Sequence, residues 1–222
     1  MATGAIIVAA GRSQRMGGVD KLLIEINGQP LISYSIEVFA MHSAIDQLVV
    51  VASESNKQRI EAIAAQRTPD ARVVLGGERR RDSVRAGLDA LDGCDYVVIH
   101  DGARPLVTPA LIDAALAGAH ETGAALCAVP VSDTLKRVED SGLIRSTVSR
   151  EGLWLAQTPQ AFRFYLLLDA HASSDFDATD DAALVELAEE PVRIVMGSQT
   201  NIKVTTPQDL TLVEALLRAN PT

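Results

Sequence analysis

Short apolar runs alternate along this chain with stretches in which apolar residues recur every three or four positions. Ala5–Ala10 and Gln47–Ala52 are near-continuous apolar runs, the pattern of strands covered on both faces. Arg72–Leu75, Tyr96–His100 and Ala124–Val131 read as further strands. Between them, Pro30–Met41 and Ser53–Gln66 carry helical spacing, and after Gly76-Gly77 the residues Val84, Leu88 and Leu91 share one helical face. Thr108-Pro109 offers an N-cap and a first-turn proline to a helix that presents Ile112, Ala115, Leu116 and Ala119 inward. Repeated strand–helix alternation predicts an α/β fold: a Rossmann-like, mostly parallel sheet with helices on both faces, in one domain spanning residues 1–222.

The pattern breaks over residues 132–157. Thr134–Glu139 and Leu143–Ser149 are short and polar, and Asp140-Ser141-Gly142 between them is a turn sequence. So little apolar content cannot make a core strand pair. The segment is expected to be a projecting β-hairpin arm, and an exposed two-stranded arm is only marginally stable alone. Packing on a second copy would support it, so a homodimer is expected. Beyond the arm the pattern predicts a strand at Leu153–Ala156, helices at Phe162–His171 and Thr179–Ala188, and a strand at Val192–Met196. Asn201–Thr205 also has a strand pattern, and it enters a closing helix with Thr206 as N-cap, Pro207 at the first position and Leu210, Val213 and Leu217 inward.

In sheets of this kind ligands bind beyond the carboxyl ends of the strands. That singles out the loops Gly11–Lys21, Gly76–Ser83, Asp101–Pro105 and Ser132–Lys136. Composition narrows what they could hold. A net charge of −9 argues against a general nucleic-acid or anionic-membrane binder, and 4% aromatic residues leave little for base-stacking platforms. An acidic protein that handles phosphates must gather its cations locally, so their positions matter. Cys94 and Cys127 have neither CxxC spacing nor a clustered histidine; buried free thiols and a reducing, cytoplasmic location are expected. No basic leader or membrane-length apolar run is evident.

The loop Gly11–Lys21 fits neither GxGxxG nor GxxxxGK[ST], which removes the main support for a nicotinamide dehydrogenase or a P-loop enzyme. Yet Arg12, Arg15 and Lys21 converge on one loop after a strand. Backbone N–H groups and such cations suit a polyphosphate; solvated surface charge is the plainer reading. Asp101 could meet a metal-bound triphosphate, directly or through water, or be a turn residue paired with Arg104. Gly76 and Gly77 would let a flat base approach the backbone, and Ser83 offers a hydroxyl. Arg79, Arg80 and Arg81 are expected on a solvated helix face, Thr179-Asp180-Asp181 as a helix start, and His100 as a packed strand-end residue. Lys203 could simply be exposed.

Taken in order, AAGRSQRM with its following lysine (Ala9–Lys21), GGERRRDSV (Gly76–Val84), HDGARP (His100–Pro105), VSDTLKR (Val131–Arg137), LAQTPQ (Leu155–Gln160), TDDA (Thr179–Ala182) and NIKVTTPQDL (Asn201–Leu210) make one set. This set resembles the 2-C-methyl-D-erythritol 4-phosphate cytidylyltransferases of the non-mevalonate isoprenoid pathway. Asp20 stands where members of that family commonly have proline. The resemblance implies transfer of CMP from CTP to methylerythritol phosphate with release of pyrophosphate, and Mg²⁺ bound with the CTP phosphates. It implies that Arg15 and Lys21 stabilise charge at the α-phosphate and that Arg150 and Lys203 position the acceptor. Asp101, Arg104, Thr134 and Thr179 would contact the acceptor as well, while Ala9, Ala10, Gly11, Gly76, Gly77 and Ser83 would contact the nucleotide. The arm would pack across a dimer, so Thr134 and Arg150 would serve the neighbouring site. Cytidylyltransferases of ribitol 5-phosphate or other polyol phosphates share similar motifs, and a nucleotide-binding module without catalysis is the reading of a different class.

Overall fold

The computed structural model describes residues 1–11 and 20–219. Among these residues seven strands form one sheet: β1 (Thr3–Ala9), β4 (Gln47–Ala52), β5 (Arg72–Leu75), β6 (Tyr96–Asp101), β7 (Ala124–Pro130), β10 (Trp154–Arg163) and β11 (Arg193–Met196). Their order is β11-β7-β10-β6-β1-β4-β5. β1 pairs in parallel with both β4 and β6, β5 is parallel to β4 and β11 to β7, whereas β10 runs antiparallel between β6 and β7.

The central strands bury alternate residues on opposite sides, as the two-residue period of a strand demands. Ala5, Ile7 and Ala9 of β1 pack in one layer with α1 (Leu31–Ala40), α2 (Lys57–Arg67), α4 (Pro109–Thr122) and α7 (Pro207–Ala219). Ile6 faces the other layer, with α3 (Arg80–Asp89), α5 (Phe164–Ser173) and α6 (Asp181–Leu187). In α3, Gly87 lets the helix lie close to the sheet: a Cβ there would fall 2.6 Å from Ile6 Cγ2. The expected sheet with helices on both faces is therefore present.

Several expectations need correction. The strand read at Leu153–Ala156 continues to Arg163, and the helix read from Phe162 begins at Phe164. Phe162 pairs with Val97 on one side and Ala124 on the other, so its apolar character serves the sheet. Asn201–Thr205 is not a strand; it is held as a loop by Val204 N–H donating to Ala103 O at 2.8 Å. The apolar run after Lys21 makes a short 3-10 turn, Lys21–Leu23, and a two-residue strand β2 (Glu25–Ile26) paired with β3 (Gln29–Pro30). Asn27 and Gly28 join them with positive φ of 50° and 83°, an asparagine–glycine hairpin signal.

The arm is β8 (Leu135–Val138) paired antiparallel with β9 (Ile144–Val148) in a sheet of its own. Its turn residue Gly142 has φ +84°, and Leu143 and Ile144 are exposed.

Candidate active site

The carboxyl ends of β1, β5 and β6, together with the loop before α7, converge on a pocket of about 330 Å³. Lys21, Gly77, Arg80, Ser83, Asp101 and Lys203 all face it. A larger hollow of about 810 Å³ lies among α1, α4 and α7, lined by residues such as Met41 and Leu217. The smaller one gathers Lys21, Asp101 and Lys203, three of the charged residues singled out in the sequence.

Asp101 ends β6 and is its electrostatic centre. Lys203 Nζ stands 2.8 Å from Asp101 Oδ2, with Arg80 Nε and Arg104 Nε each 3.7 Å from the carboxylate. Burial acts to raise the Asp101 pKa, but these cations, Lys203 first, outweigh it and hold the group well below the usual carboxylate range. Arg80 is fixed from behind by Asp181, whose Oδ2 lies 2.7 Å from Arg80 Nη1. Burial works against the guanidinium charge, and Asp181 and Asp101 overcome it, so Arg80 keeps its charge. Asp181 in turn has His171 Nε2 at 3.4 Å.

Arg80 and Arg81 are thus not on a solvated face, whereas Arg79 is half-exposed as expected. Arg79 donates to Asp82 beside the start of α3 and reaches Asp175. Arg81 is buried and donates to the carbonyls of Phe176 and His171 at 3.0 and 2.9 Å. Thr179-Asp180-Asp181 does open a helix: Asp180 accepts from Ala183 N–H at 3.1 Å. Asp181, next along, carries the additional load of Arg80.

His100 is wholly buried and has no free valence. His100 Nε2 stands 3.1 Å from Arg104 O, a carbonyl that can only accept, so Nε2 carries the proton. In the neutral ring Nδ1 then accepts from the Thr158 hydroxyl at 3.0 Å, whose Oγ1 accepts from Asp101 N–H at 3.1 Å. Burial pushes the His100 pKa down to about 4, which keeps the ring neutral at pH 7, the packed role expected of it. Arg104 lies behind Asp101: its guanidinium donates to Asn201 O at 2.7 Å and Ala156 O at 3.4 Å. Asn201 Nδ2 donates to Thr158 O at 2.7 Å. These bonds tie the loop carrying Lys203 to β10 and to the end of β6.

Lys21 enters the pocket from the 3-10 turn, and its Nζ donates to Val204 O at 2.6 Å. Gly76 sits behind the wall, where a Cβ would fall 2.6 Å from Ser83 Oγ and 2.7 Å from Ala10 Cβ. Ala9 is buried at the end of β1, and Ala10 and Gly11 line the opening. Arg12 and Arg15 lie outside the described residues.

Of the other residues singled out in the sequence, Thr134 and Arg150 are exposed on the arm, and Arg150 donates to Ser132 O. Thr179 is exposed just before α6. None of these three lines the pocket. Sequence reasoning missed Arg80 as a wall residue, gave Asp181 only a helix start and gave no role to Thr158 or Asn201, although TDDA, LAQTPQ and NIKVTTPQDL contain the last three. A buried acidic partner for a helix-start arginine has no periodic signature.

Known proteins resemble this chain along nearly its whole length. The family model described as 2-C-methyl-D-erythritol 4-phosphate cytidylyltransferase matches residues 3–219. The protein of that name from Dehalococcoides mccartyi is 43% identical over 217 residues, covering 97% of this chain and 96% of the relative. The crystal structure of 4-diphosphocytidyl-2C-methyl-D-erythritol synthase from Anaerococcus prevotii superposes with a TM-score of 0.86 at 30% identity, over 98% of this chain and 96% of that one. The 2-C-methyl-D-erythritol 4-phosphate cytidylyltransferase of Thermus thermophilus gives 0.83 at 32% identity, over 98% and 100%. With the family match running from β1 into α7, the chain belongs to the 2-C-methyl-D-erythritol 4-phosphate cytidylyltransferase family.

Proposed function

We propose that the protein transfers CMP from CTP to 2-C-methyl-D-erythritol 4-phosphate, giving 4-diphosphocytidyl-2-C-methyl-D-erythritol and pyrophosphate. Beyond family membership, one observation carries this reading: Lys21 and Lys203, far apart in sequence, meet at one pocket beside Asp101 at the carboxyl edge of the sheet.

A phosphate monoester is already anionic at neutral pH, so its oxygen attacks the α-phosphorus without a base. One P–O bond forms there as the bond to the bridging oxygen breaks, and pyrophosphate leaves with the electron pair. Repulsion between anions and charge build-up at phosphorus are the obstacles, and fixed cations lower both. Lys21, with Arg15, takes the role at the α-phosphate. Lys203, held by Asp101 and seconded by Arg150 of a neighbouring arm, orients the acceptor together with Thr134 and Thr179. Arg104 acts on the acceptor through Asp101. Ala9, Ala10, Gly11, Gly76, Gly77 and Ser83 frame the nucleotide. That no proton moves agrees with a locked, neutral His100.

The donor set does not fit a resident metal ion. Asp101 is occupied by cations, and the described residues contain no cluster of three or more His, Cys, Asp or Glu able to hold one. A wall of Lys21, Arg80 and Lys203 would repel a bare cation yet suit an anionic metal–triphosphate, so Mg²⁺ is proposed to arrive on CTP.

The exposed apolar residues of the arm support a homodimer formed through residues 132–157. Two buried free thiols support a cytoplasmic location, and among the described residues no helix is long and apolar enough to cross a membrane.

Pyrophosphate release from CTP with methylerythritol phosphate, ribitol 5-phosphate and no acceptor tests the reading. Release with the first alone is expected. Preference for ribitol 5-phosphate, or CTP binding without release, would overturn it. Lys21→Ala should cut kcat by about 10²–10³, as loss of a charge-stabilising donor does, with CTP affinity changed far less.

A further inference from the structure

Lys21 reaches the pocket from a 3-10 turn of only three residues, and so short a turn has little stability of its own. Its orientation is set from outside. Asp20 Oδ1 accepts from Leu22 N–H at 3.0 Å and caps the turn. Asp20 Oδ2 accepts from Asn56 Nδ2 at 2.6 Å. Asn56 follows β4, far from Asp20 in sequence, and is buried to 1% exposure. The same Nδ2 donates to Ala9 O, the last residue of β1, at 3.1 Å, while Asn56 Oδ1 accepts from Ser53 N–H at 2.9 Å. One fully used amide thus fastens the last residue of β1 and the residue before Lys21, the two flanks of the segment that begins at Ala10.

We propose that Asp20 and Asn56 are positioning residues for the transfer reaction: a clasp that fixes the direction in which Lys21 meets the α-phosphate. Asp20 restrains the turn through a hydrogen-bonded carboxylate, and the buried Asn56 amide holds that carboxylate in place. Asp20 touches no substrate; it acts through Lys21. A charge displaced by even a fraction of an ångström from the developing oxyanion loses transition-state stabilisation while ground-state attraction to a triphosphate persists.

The proposal rests on the role given to Lys21 above, and the experiment separates the two. Asp20→Ala, Asn56→Ala and Lys21→Ala are compared with the full-length protein for kcat, KM for both substrates and CTP affinity by calorimetry, each variant first checked for native circular dichroism. Asp20→Ala and Asn56→Ala are expected to lower kcat about tenfold or more with CTP affinity within about threefold, as removal of a positioning contact does. Asp20→Asn can satisfy Leu22 N–H or Asn56 but not both, and should fall between Asp20→Ala and the parent. The decisive arm is the Lys21→Ala background, in which adding Asp20→Ala should change the residual turnover by less than about twofold. If Asp20→Ala lowers turnover by the same factor with and without Lys21, the residue does not act through the lysine and the clasp is refuted. Parental kcat in Asp20→Ala beside a crippled Lys21→Ala refutes it too. If Lys21→Ala itself turns over normally, the assignment of Lys21 falls, and the clasp with it. Asn56→Ala also removes a buried tie to β1; should it unfold, the half-exposed Asp20 decides the question alone.

Discussion

Replacing Asp181 by asparagine should destabilise the protein without leaving a cavity, because the side chains are nearly isosteric. Asp181 is 1% exposed and its Oδ2 lies 2.7 Å from Arg80 Nη1. Removing one partner of a buried ion pair typically costs about 3–5 kcal/mol, because the other charge stays buried and unpaired. Two features lower that figure here. Arg80 keeps Asp101 3.7 Å away, and the amide oxygen of the new asparagine still accepts a hydrogen bond. The expected loss is then about 2 kcal/mol, and at this chain length each kcal/mol moves the midpoint by about 2–4 °C, so Tm should fall by about 4–8 °C. Thermal unfolding followed by circular dichroism at pH 7 measures it. The sign of the pH dependence follows from the depressed Asp181 pKa: burial raises it, and Arg80 and then His171 more than reverse that. A carboxylate held below its unfolded value contributes stability that is complete above that value, near 3.8, and is lost as pH falls through the lower folded one. The gap between parent and variant should therefore narrow below about pH 4. A Tm change under about 2 °C, or a gap constant through that range, would refute the electrostatic account. Combining Arg80→Met with Asp181→Leu should restore much of the stability, since an apolar pair can replace a buried ionic one at little cost.

Thr158→Val should cost about 2–4 kcal/mol in urea unfolding, because it leaves the Asp101 N–H and His100 Nδ1 buried without their shared hydroxyl. Gly76→Ala should raise the KM for CTP, since its Cβ would press Ser83 and Ala10 toward the nucleotide; an unchanged KM would remove Gly76 from the pocket's shape. Placing lysines at exposed Leu143 and Ile144 should convert a dimer to monomers in sedimentation, with CTP affinity retained and turnover reduced.

Much of the scaffold was legible because its signals are local. β4 spans Gln47–Ala52, the apolar run read from the sequence, and Pro109 opens α4 as read. The closing helix buries Val213 and Leu217, two of the three residues assigned inward. Strands that answer to two neighbours were harder. Phe162 is equally consistent with a helix start or a strand end until β6 and β7 are known to flank it. The site divides in the same way. Lys21, Gly77, Ser83 and Asp101 were found because loops after strands are where ligands sit; Lys203, read as part of a strand, entered only through the resemblance to the family. Arg80 was assigned to solvent because nothing near it in sequence announces Asp181, a carboxylate delivered by a helix on the far side of β10. Asp20 was noticed only as a departure; its meaning depends on Asn56, which no motif contains.

The reversed course of β10 has a consequence for how such a protein can diverge. β7 leaves the sheet at Pro130, and β10 returns beside it, Trp154 opposite Pro130. The chain therefore exits and re-enters at one place on the rim. An insertion with adjacent ends can lengthen, shorten or be exchanged while the strands beneath keep their register, since lengthening a loop between fixed ends adds only a slowly growing entropic cost. The pocket residues Lys21, Gly77 and Arg80 follow β1 and β5, which contribute nothing to that exit. The arm can thus be edited as a separable module without disturbing the strands beneath it.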